Sequence, residues 1–312
     1  MDDPSPAAVG FVGLGMMGQA LVSRLLAASI PVVVANRSPG PVREAVAAGA
    51  AAAVNPREVG RRTASGIVFV MVSDGRAQRS VLFGRSGVAA GLAAGGLVVD
   101  LSTVAPADSR SAAARLAQRG IGFLEAPVGG STDAAVEGRL LFFVGGAESD
   151  LARVRPYLAR WARGIEHLGP VGAGATLKLA NNLLTVGTLA LLAEAVAFAE
   201  AAGIARDRVL EILAKGGGAS AMLEAKRGAL ASREYPTRFK LSLARKDLGL
   251  FESTARYLGI SPRLASAARR RYNEAIDAGL AGADFSAVFE VARPRAVRGS
   301  SEPGRLPDVD LP

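Results

Sequence analysis

The stretch AVGFVGLGMMGQALVSRLLAAS, residues 8–29, changes period in its middle, and that change decides the fold. An apolar run, AVGFV, breaks into Gly13, Gly15 and Gly18, after which apolar residues recur at helical spacing. A buried strand that runs through glycines into a helix is the first half of a βαβ unit, and PVVVANR at 31–37 supplies the second strand. The alternation continues. VREAVAAGA (42–50) reads as helix, GIVFVMV (66–72) as strand, GLVVDLST (96–103) as strand, SRSAAARLAQRG (109–120) as helix and IGFLEAPV (121–128) as strand. After a loop, RLLFFVGG (139–146) reads as a further strand. The class this implies is α/β, a doubly wound and largely parallel sheet covered by helices over residues 8–170.

Beyond residue 170 the pattern changes. TLKLANNLLTVGTLALLAEAVAFAEAAGI (176–204) is apolar around most of a helix, the mark of a helix buried on all sides. Further helical patterns cover 206–214, 220–231, 240–258 and 262–279, so residues 171–293 are expected to form an all-helical domain with the long helix as its spine. The ends, 1–7 and 294–312, are rich in Pro, Gly and Ser and are expected to be flexible.

Composition removes several chemistries. The 312 residues contain no cysteine and one histidine, His167, so disulfides, cysteine nucleophiles and histidine-rich metal sites are excluded. His167 lies in GIEHLGPVG (164–172), which reads as linker-like, where a surface or capping role fits better than catalysis. With 37 basic against 28 acidic residues the net charge is +9. The basic residues are scattered, however, and the run Arg269, Arg270, Arg271 reads as a solvated helix face, so nucleic acid is not an expected partner. The opening MDDPSPAA is acidic, and no apolar run is expected to reach the roughly 18 residues that span a bilayer, so a cytoplasmic protein without a membrane segment is expected.

The glycine set directly after the first strand points to a dinucleotide. Gly13 suits a tight turn, Gly15 close approach of backbone to a pyrophosphate, and Gly18 close helix packing, with Leu14, Met16 and Met17 lining the turn. An acidic residue at the end of the second strand would select NAD through the ribose 2′-hydroxyl. Asn36, Arg37 and Ser38 stand there instead. Without a carboxylate, and with a guanidinium and a hydroxyl, the site suits a 2′-phosphate, and NADP(H) is the expected cofactor.

Four motifs then occur in order: GFVGLGMMG (10–18), DLST (100–103), EAPVGGSTDAAVEGRL (125–140) and GAGATLKLANN (172–182), followed by KDL (246–248) and DFSAV (284–288). Over residues 9–292 the chain resembles the β-hydroxyacid dehydrogenases, which include 3-hydroxyisobutyrate dehydrogenase and the glyoxylate/succinic semialdehyde reductases. The resemblance implies a Rossmann domain followed by an all-α domain built on a long interdomain helix. It also implies homodimers or homotetramers, and a small carbonyl or hydroxy acid as substrate.

By that resemblance Lys178 is the general acid/base. An ammonium beside the substrate oxygen stabilises alkoxide charge and donates the proton, and burial with a neighbouring positive charge would lower its pKa toward the working pH. In isolation, Lys178 reads as a lysine snorkelling from an apolar helix. Asn182, four residues on, shares its helix face and can orient it or the carbonyl. The resemblance further assigns Val72, Ser73, Thr103 and Lys246 to the cofactor side, and Ser102, Thr103, Phe239 and Asp247 to the substrate region. One departure stands out. The family usually reads APVSGG, its serine holding a substrate carboxylate, whereas Gly129 replaces that serine here, leaving the amides of Gly130 and Ser131 and the Ser131 hydroxyl for an anion. Two other readings remain: an imine reductase-like enzyme on the same scaffold, which would usually carry Asp or Tyr in place of Lys178, and a non-catalytic binding module.

Overall fold

Short runs of apolar residues, buried on both faces and in one case ending in Asp100, make the central strands, as a parallel sheet covered on two sides requires. The computed structural model describes residues 7–292, so the expectations for 294–312 and for all but the last residue of 1–7 lie outside the described residues. By contacts the chain divides into two compact units, Met1–Ala180 and Asn181–Pro312, and each is taken by itself.

In the first unit β1 (Val9–Val12), α1 (Met16–Ala27), β2 (Val32–Ala35), α2 (Pro39–Ala47), β3 (Ala51–Ala52), α3 (Pro56–Arg62), β4 (Ile67–Val70), α4 (Gly75–Phe83), β5 (Leu97–Asp100), α5 (Pro106–Ala117) and β6 (Gly122–Glu125) follow one another. The strands form one parallel sheet in the order β3-β2-β1-β4-β5-β6. The order reverses between β1 and β4, and a crevice opens at the carboxyl ends of strands at such a switch point. One face packs Phe11, Phe69 and Val99 around Trp161, whose ring meets Phe69 edge-on at 5.3 Å and whose Nε1 donates to Leu21 O. The other face buries Val12, Val70 and Val98.

The chain then forms β7 (Val128–Gly129), α6 (Thr132–Val136), β8 (Leu140–Val144), α7 (Glu148–Leu158) and β9 (Ala162–His167). These strands form a separate sheet, β7-β8-β9, in which β8 runs antiparallel to β7 and parallel to β9. β9 corrects the linker-like reading around His167. ARGIEH has neither an apolar run nor clean alternation, and its pairing with β8 includes a register shift at Leu140/Leu141, so its strand identity comes from its neighbour rather than from its own pattern.

α8 (Ala173–Ala201) begins in the first unit and continues into the second. There it buries Val186, Leu189, Ala193 and Val196 against α9 (Arg206–Leu213), α10 (Ala221–Ser232), α11 (Leu241–Tyr257), α12 (Arg263–Asp277) and a 3₁₀ turn, Phe285–Val291. The helices fall where their periodicity predicts them. α8 also corrects the expectation about apolar runs: by length and composition it is a helix able to cross a bilayer, with a mean hydropathy of 1.7 over 18 residues. One stripe of it forms the core of the second unit, but Leu184, Leu191 and Phe198 are exposed, which corrects the expectation of a helix buried on all sides. On α12, Arg269 pairs with Glu252 and Arg271 with Glu194 and Glu274, so two of the three consecutive arginines are tied to carboxylates.

Candidate active site

The three glycines differ in what surrounds them. Gly13 has φ +103°, and a Cβ there would meet Met71 O at 2.0 Å; at Gly18 a Cβ would meet Gly13 O at 2.1 Å. Both are demanded by the protein's own packing. Gly15 is exposed, and a Cβ there would meet nothing within 4 Å. It caps α1, whose N-terminus carries no side-chain cap, so open backbone amides at the positive end of a helix face an empty approach. That combination fits a pyrophosphate. Leu14 is buried, Met17 half-buried and Met16 exposed beside it.

Asn36, at the end of β2, is engaged at both ends of its amide. Its Oδ1 accepts from Leu14 N at 3.0 Å and its Nδ2 donates to Ser38 O at 3.1 Å, which ties the glycine turn to the strand end. Arg37 and Ser38 are exposed. Ser38 caps α2 without a side-chain bond, and prolines at 39 and 41 remove two amide donors from the start of that helix.

At the carboxyl ends of β4 and β5 a buried network sets the next loops. Ser102 Oγ accepts from Val72 N at 2.9 Å, Ser102 N donates to Asp100 Oδ1 at 3.0 Å, and Gln78 Nε2 donates to Asp100 Oδ2 at 2.5 Å. Burial pushes the Asp100 carboxyl up to about 6, against the Ser102 and Gln78 hydrogen bonds that pull it down, and nearby Glu125 adds to the rise. Ser73, exposed, donates to Asp74 Oδ2, and Thr103 is half-buried. The Ser131 hydroxyl accepts from Ala134 N at 3.3 Å as the cap of α6, so one of its lone pairs serves the short helix. A Cβ on Gly129 would lie 3.2 Å from the Phe143 ring, closer than most side-chain contacts allow. Gly130, with φ +131°, is exposed next to it.

Glu125, at the end of β6 and 1% exposed, reaches the start of α8: its Oε1 accepts from Gly172 N at 2.7 Å and Ala175 N at 3.1 Å. Burial raises its pKa, opposed by the Ser109 hydroxyl and the amides of Ala175, Gly172 and Gly174. One turn on from Ala175 stands Lys178, buried at 8% exposure in a predominantly apolar helix. His167 is exposed, with Nε2 2.8 Å from Gly146 O.

In the second unit Asn182 is also buried, and its Nδ2 donates to Asp247 Oδ2 at 2.6 Å. Asn181 Nδ2 donates to Asn182 Oδ1 at 3.2 Å. Asp247 is 2% exposed, so Lys246 and Asp247 are not a surface ion pair; Lys246 Nζ lies 2.9 Å from Asp247 Oδ1, close enough to pair but without hydrogen-bond geometry. Phe239 meets Phe285 edge-on at 5.4 Å. The amides of Arg238 and Phe239 both donate to Asp284 Oδ2, while Asp284 Oδ1 takes Lys226 and Ser286. Burial alone would raise the Asp284 carboxyl, but Lys226, the Ser286 hydroxyl and the Arg238 amide outweigh it and hold the group below the ordinary range.

Four supporting residues, Asp100, Gln78, Glu125 and Asp284, were not singled out in the sequence. Their one local signal is that Asp100 and Glu125 each end a buried strand with a charge, which a strand buried on both faces does not place there without a partner.

Comparison with known proteins follows the same division. The family model described as the NAD binding domain of 6-phosphogluconate dehydrogenase matches residues 8–169. The one described as NAD-binding of NADP-dependent 3-hydroxyisobutyrate dehydrogenase matches residues 172–292. Among curated relatives, 2-(hydroxymethyl)glutarate dehydrogenase of Eubacterium barkeri is 32% identical over 91% of this chain and 94% of its own. The NAD-dependent L-serine dehydrogenase of Pseudomonas aeruginosa is 33% identical over 92% and 98%. A solved structure of 3-hydroxyisobutyrate dehydrogenase from Salmonella typhimurium superposes with a TM-score of 0.83 at 32% identity, covering 91% of this chain and 99% of that one. Matched by both family models in turn and by these proteins over nearly their whole lengths, the chain belongs to the β-hydroxyacid dehydrogenase family of NAD(P)-dependent oxidoreductases.

Proposed function

We propose that the protein is an NADPH-dependent reductase of a small aldehyde, semialdehyde or keto acid, such as glyoxylate or succinic semialdehyde, running in reverse as a hydroxyacid dehydrogenase. The observation that carries this reading is the burial of Lys178. A snorkelling lysine takes its ammonium to water, whereas this residue is 8% exposed on a helix that also buries Asn182 one turn later. Burying most of a lysine is costly unless its charge is put to use there.

The turn made at Gly13 presents the amides from Gly15 onward at the start of α1 to the pyrophosphate, and Arg37 with the Ser38 hydroxyl holds the 2′-phosphate. The bound nicotinamide supplies the hydride. Lys178 Nζ donates the proton that the carbonyl oxygen takes up on reduction, and takes it back on oxidation. Asn182, fixed by Asp247 at 2.6 Å, orients the lysine or the carbonyl. Ser102 and Thr103 serve the reacting carbon, Phe239 offers the substrate an apolar ring, and the amides of Gly130 and Ser131 take the substrate's acid group. Val72, Ser73 and Lys246 lie on the cofactor side.

A panel of small semialdehydes and keto acids, assayed with NADPH and NADH side by side, tests the reading together with Lys178→Ala. The variant is expected to lose turnover by about 10³-fold or more while binding NADPH as the parent does. Undiminished turnover in the variant would sink the assignment.

A further inference from the structure

α8 starts after Pro170, Val171 and Gly172, none of which carries a side chain able to cap it. Its acceptor comes from another element. Glu125, 47 residues earlier in the chain and at the carboxyl end of β6, spends one oxygen on both Gly172 N and Ala175 N. Gly172 has φ +105° and lies beneath the Arg110 guanidinium, so neither a turn side chain nor a bulkier residue can do the same from that position. The groups facing Glu125 are few. Asp100 is its register partner on β5, and Ser109 on α5 adjoins its second oxygen. Neither Glu125 Oε2 nor Ser109 Oγ has a hydrogen-bond partner of good geometry, so the well-formed hydrogen bonds of the carboxyl are those to the helix amides.

Ala175 and Lys178 are three residues apart, hence neighbours on the helix surface. Whatever fixes the Ala175 amide therefore fixes the turn that presents the lysine. First turns fray when their amides lack acceptors, and a misplacement of about 1 Å in a reacting group costs on the order of 100-fold in rate. We propose that Glu125 is a positioning residue for Lys178, pinning the first turn of α8 to the end of β6 so that the proton donor is held in one place. This rests on the reading of Lys178 as the proton donor.

The test uses the full chain with Glu125→Ala, which removes the acceptor, and Glu125→Gln, which keeps an amide oxygen for it. Hydrogen exchange at amides 173–178 reads the cap without any turnover, and kcat, its pH profile and NADPH affinity read the consequence. In Glu125→Ala, exchange is expected to speed up and kcat to fall by about tenfold or more, with NADPH Kd held within about threefold. The pH profile of kcat should move, by about half a unit or more, as the donor's surroundings change. Glu125→Gln should restore kcat to within about threefold of the parent. If the alanine variant does not fold, Glu125→Asp, whose carboxyl falls one methylene short, should lower kcat at unchanged NADPH Kd. Unchanged exchange in α8, or kcat and NADPH affinity falling together without rescue by Gln, overturns the proposal. Turnover surviving in Lys178→Ala overturns the proton-donor reading, and the proposal with it, even where exchange responds as expected, so the two failures are told apart.

Discussion

At the residue scale, the adjacent Asn36 and Arg37 differ in what engages them. Asn36 is consumed inside the protein, accepting from Leu14 N and donating to Ser38 O, so its amide is a fastener for the glycine turn. Arg37 is exposed next to it. Because Pro39 and Pro41 have no N–H, α2 presents fewer amides to an anion than an ordinary helix start, and the charge for a 2′-phosphate has to come from a side chain. A charge-assisted hydrogen bond to phosphate contributes about 1.5–3 kcal/mol, so Arg37→Ala is expected to raise KM for NADPH by about 10- to 100-fold. KM for NADH should stay within about twofold, since that cofactor offers the guanidinium no phosphate at this position. Equal changes for the two cofactors would mean that Arg37 has no part in choosing between them.

At the scale of elements, the strand-turn-helix at residues 9–27 separates two glycines that the packing demands from one that it does not. Gly13→Ala places a methyl 2.0 Å from Met71 O at φ +103°, which neither strand can relieve without moving β4. It is expected to cost several kcal/mol or prevent folding, on the order of 3 kcal/mol or more. Gly15→Ala meets nothing within 4 Å, and its φ of −70° suits alanine, so it should leave thermal stability equal or slightly higher, by about 0.4–1 kcal/mol. Its methyl fills the approach to α1, and NADPH affinity is expected to fall by about tenfold or more. Thermal unfolding and NADPH titration on both variants check this; stability lost in Gly15→Ala would show that the space is not free. The same segment shows why the fold was legible. The strands of the large sheet are apolar but for Asp100 and Glu125 at the ends of β5 and β6, the glycines punctuate them, and α8 is apolar around most of its circumference, so class, order of elements and the helical second half could be read directly. β3, two alanines long, and β9, ARGIEH, could not, because each owes its strand state to the edge it pairs with. In the site, Gly13, Gly15 and Gly18 stand out by their place after the first strand, whereas Lys178 is legible only through the family resemblance, since in isolation it reads as a snorkelling lysine. Asp100 and Glu125 do not stand out, because their roles depend on Gln78, 22 residues from Asp100, and on Ala175, 50 residues from Glu125.

At the scale of the molecule, the buried carboxylates set opposite slopes of stability against pH. Asp284 is held below the ordinary carboxylate range by Lys226, the Ser286 hydroxyl and the Arg238 amide, so its contribution is present above that range and is lost as pH falls through its lowered pKa. Asp100, raised by burial from 3.8 to about 6, behaves in the reverse sense. The unfolded chain releases this proton near 3.8 while the folded chain keeps it to about 6, so stability is full below the first value and declines as pH rises through the second. The decline amounts to about 3 kcal/mol, and Glu125, raised in the same sense, adds to it. Asp100→Asn isolates this component. The asparagine oxygen can still accept from Ser102 N, and Gln78 Oε1, buried without a partner, can accept from the new amide once the Gln78 side-chain amide turns over. The variant is therefore expected to lie within about 1 kcal/mol of the parent at pH 4.5 and to be more stable by about 2–3 kcal/mol at pH 7.5. Denaturant unfolding of both proteins at the two pH values measures it. If their stabilities ran parallel, the proton released between these values would not belong to Asp100. A steeper fall in the variant than in the parent would mean instead that the charged carboxylate, held by Ser102 and Gln78, is the form the fold prefers.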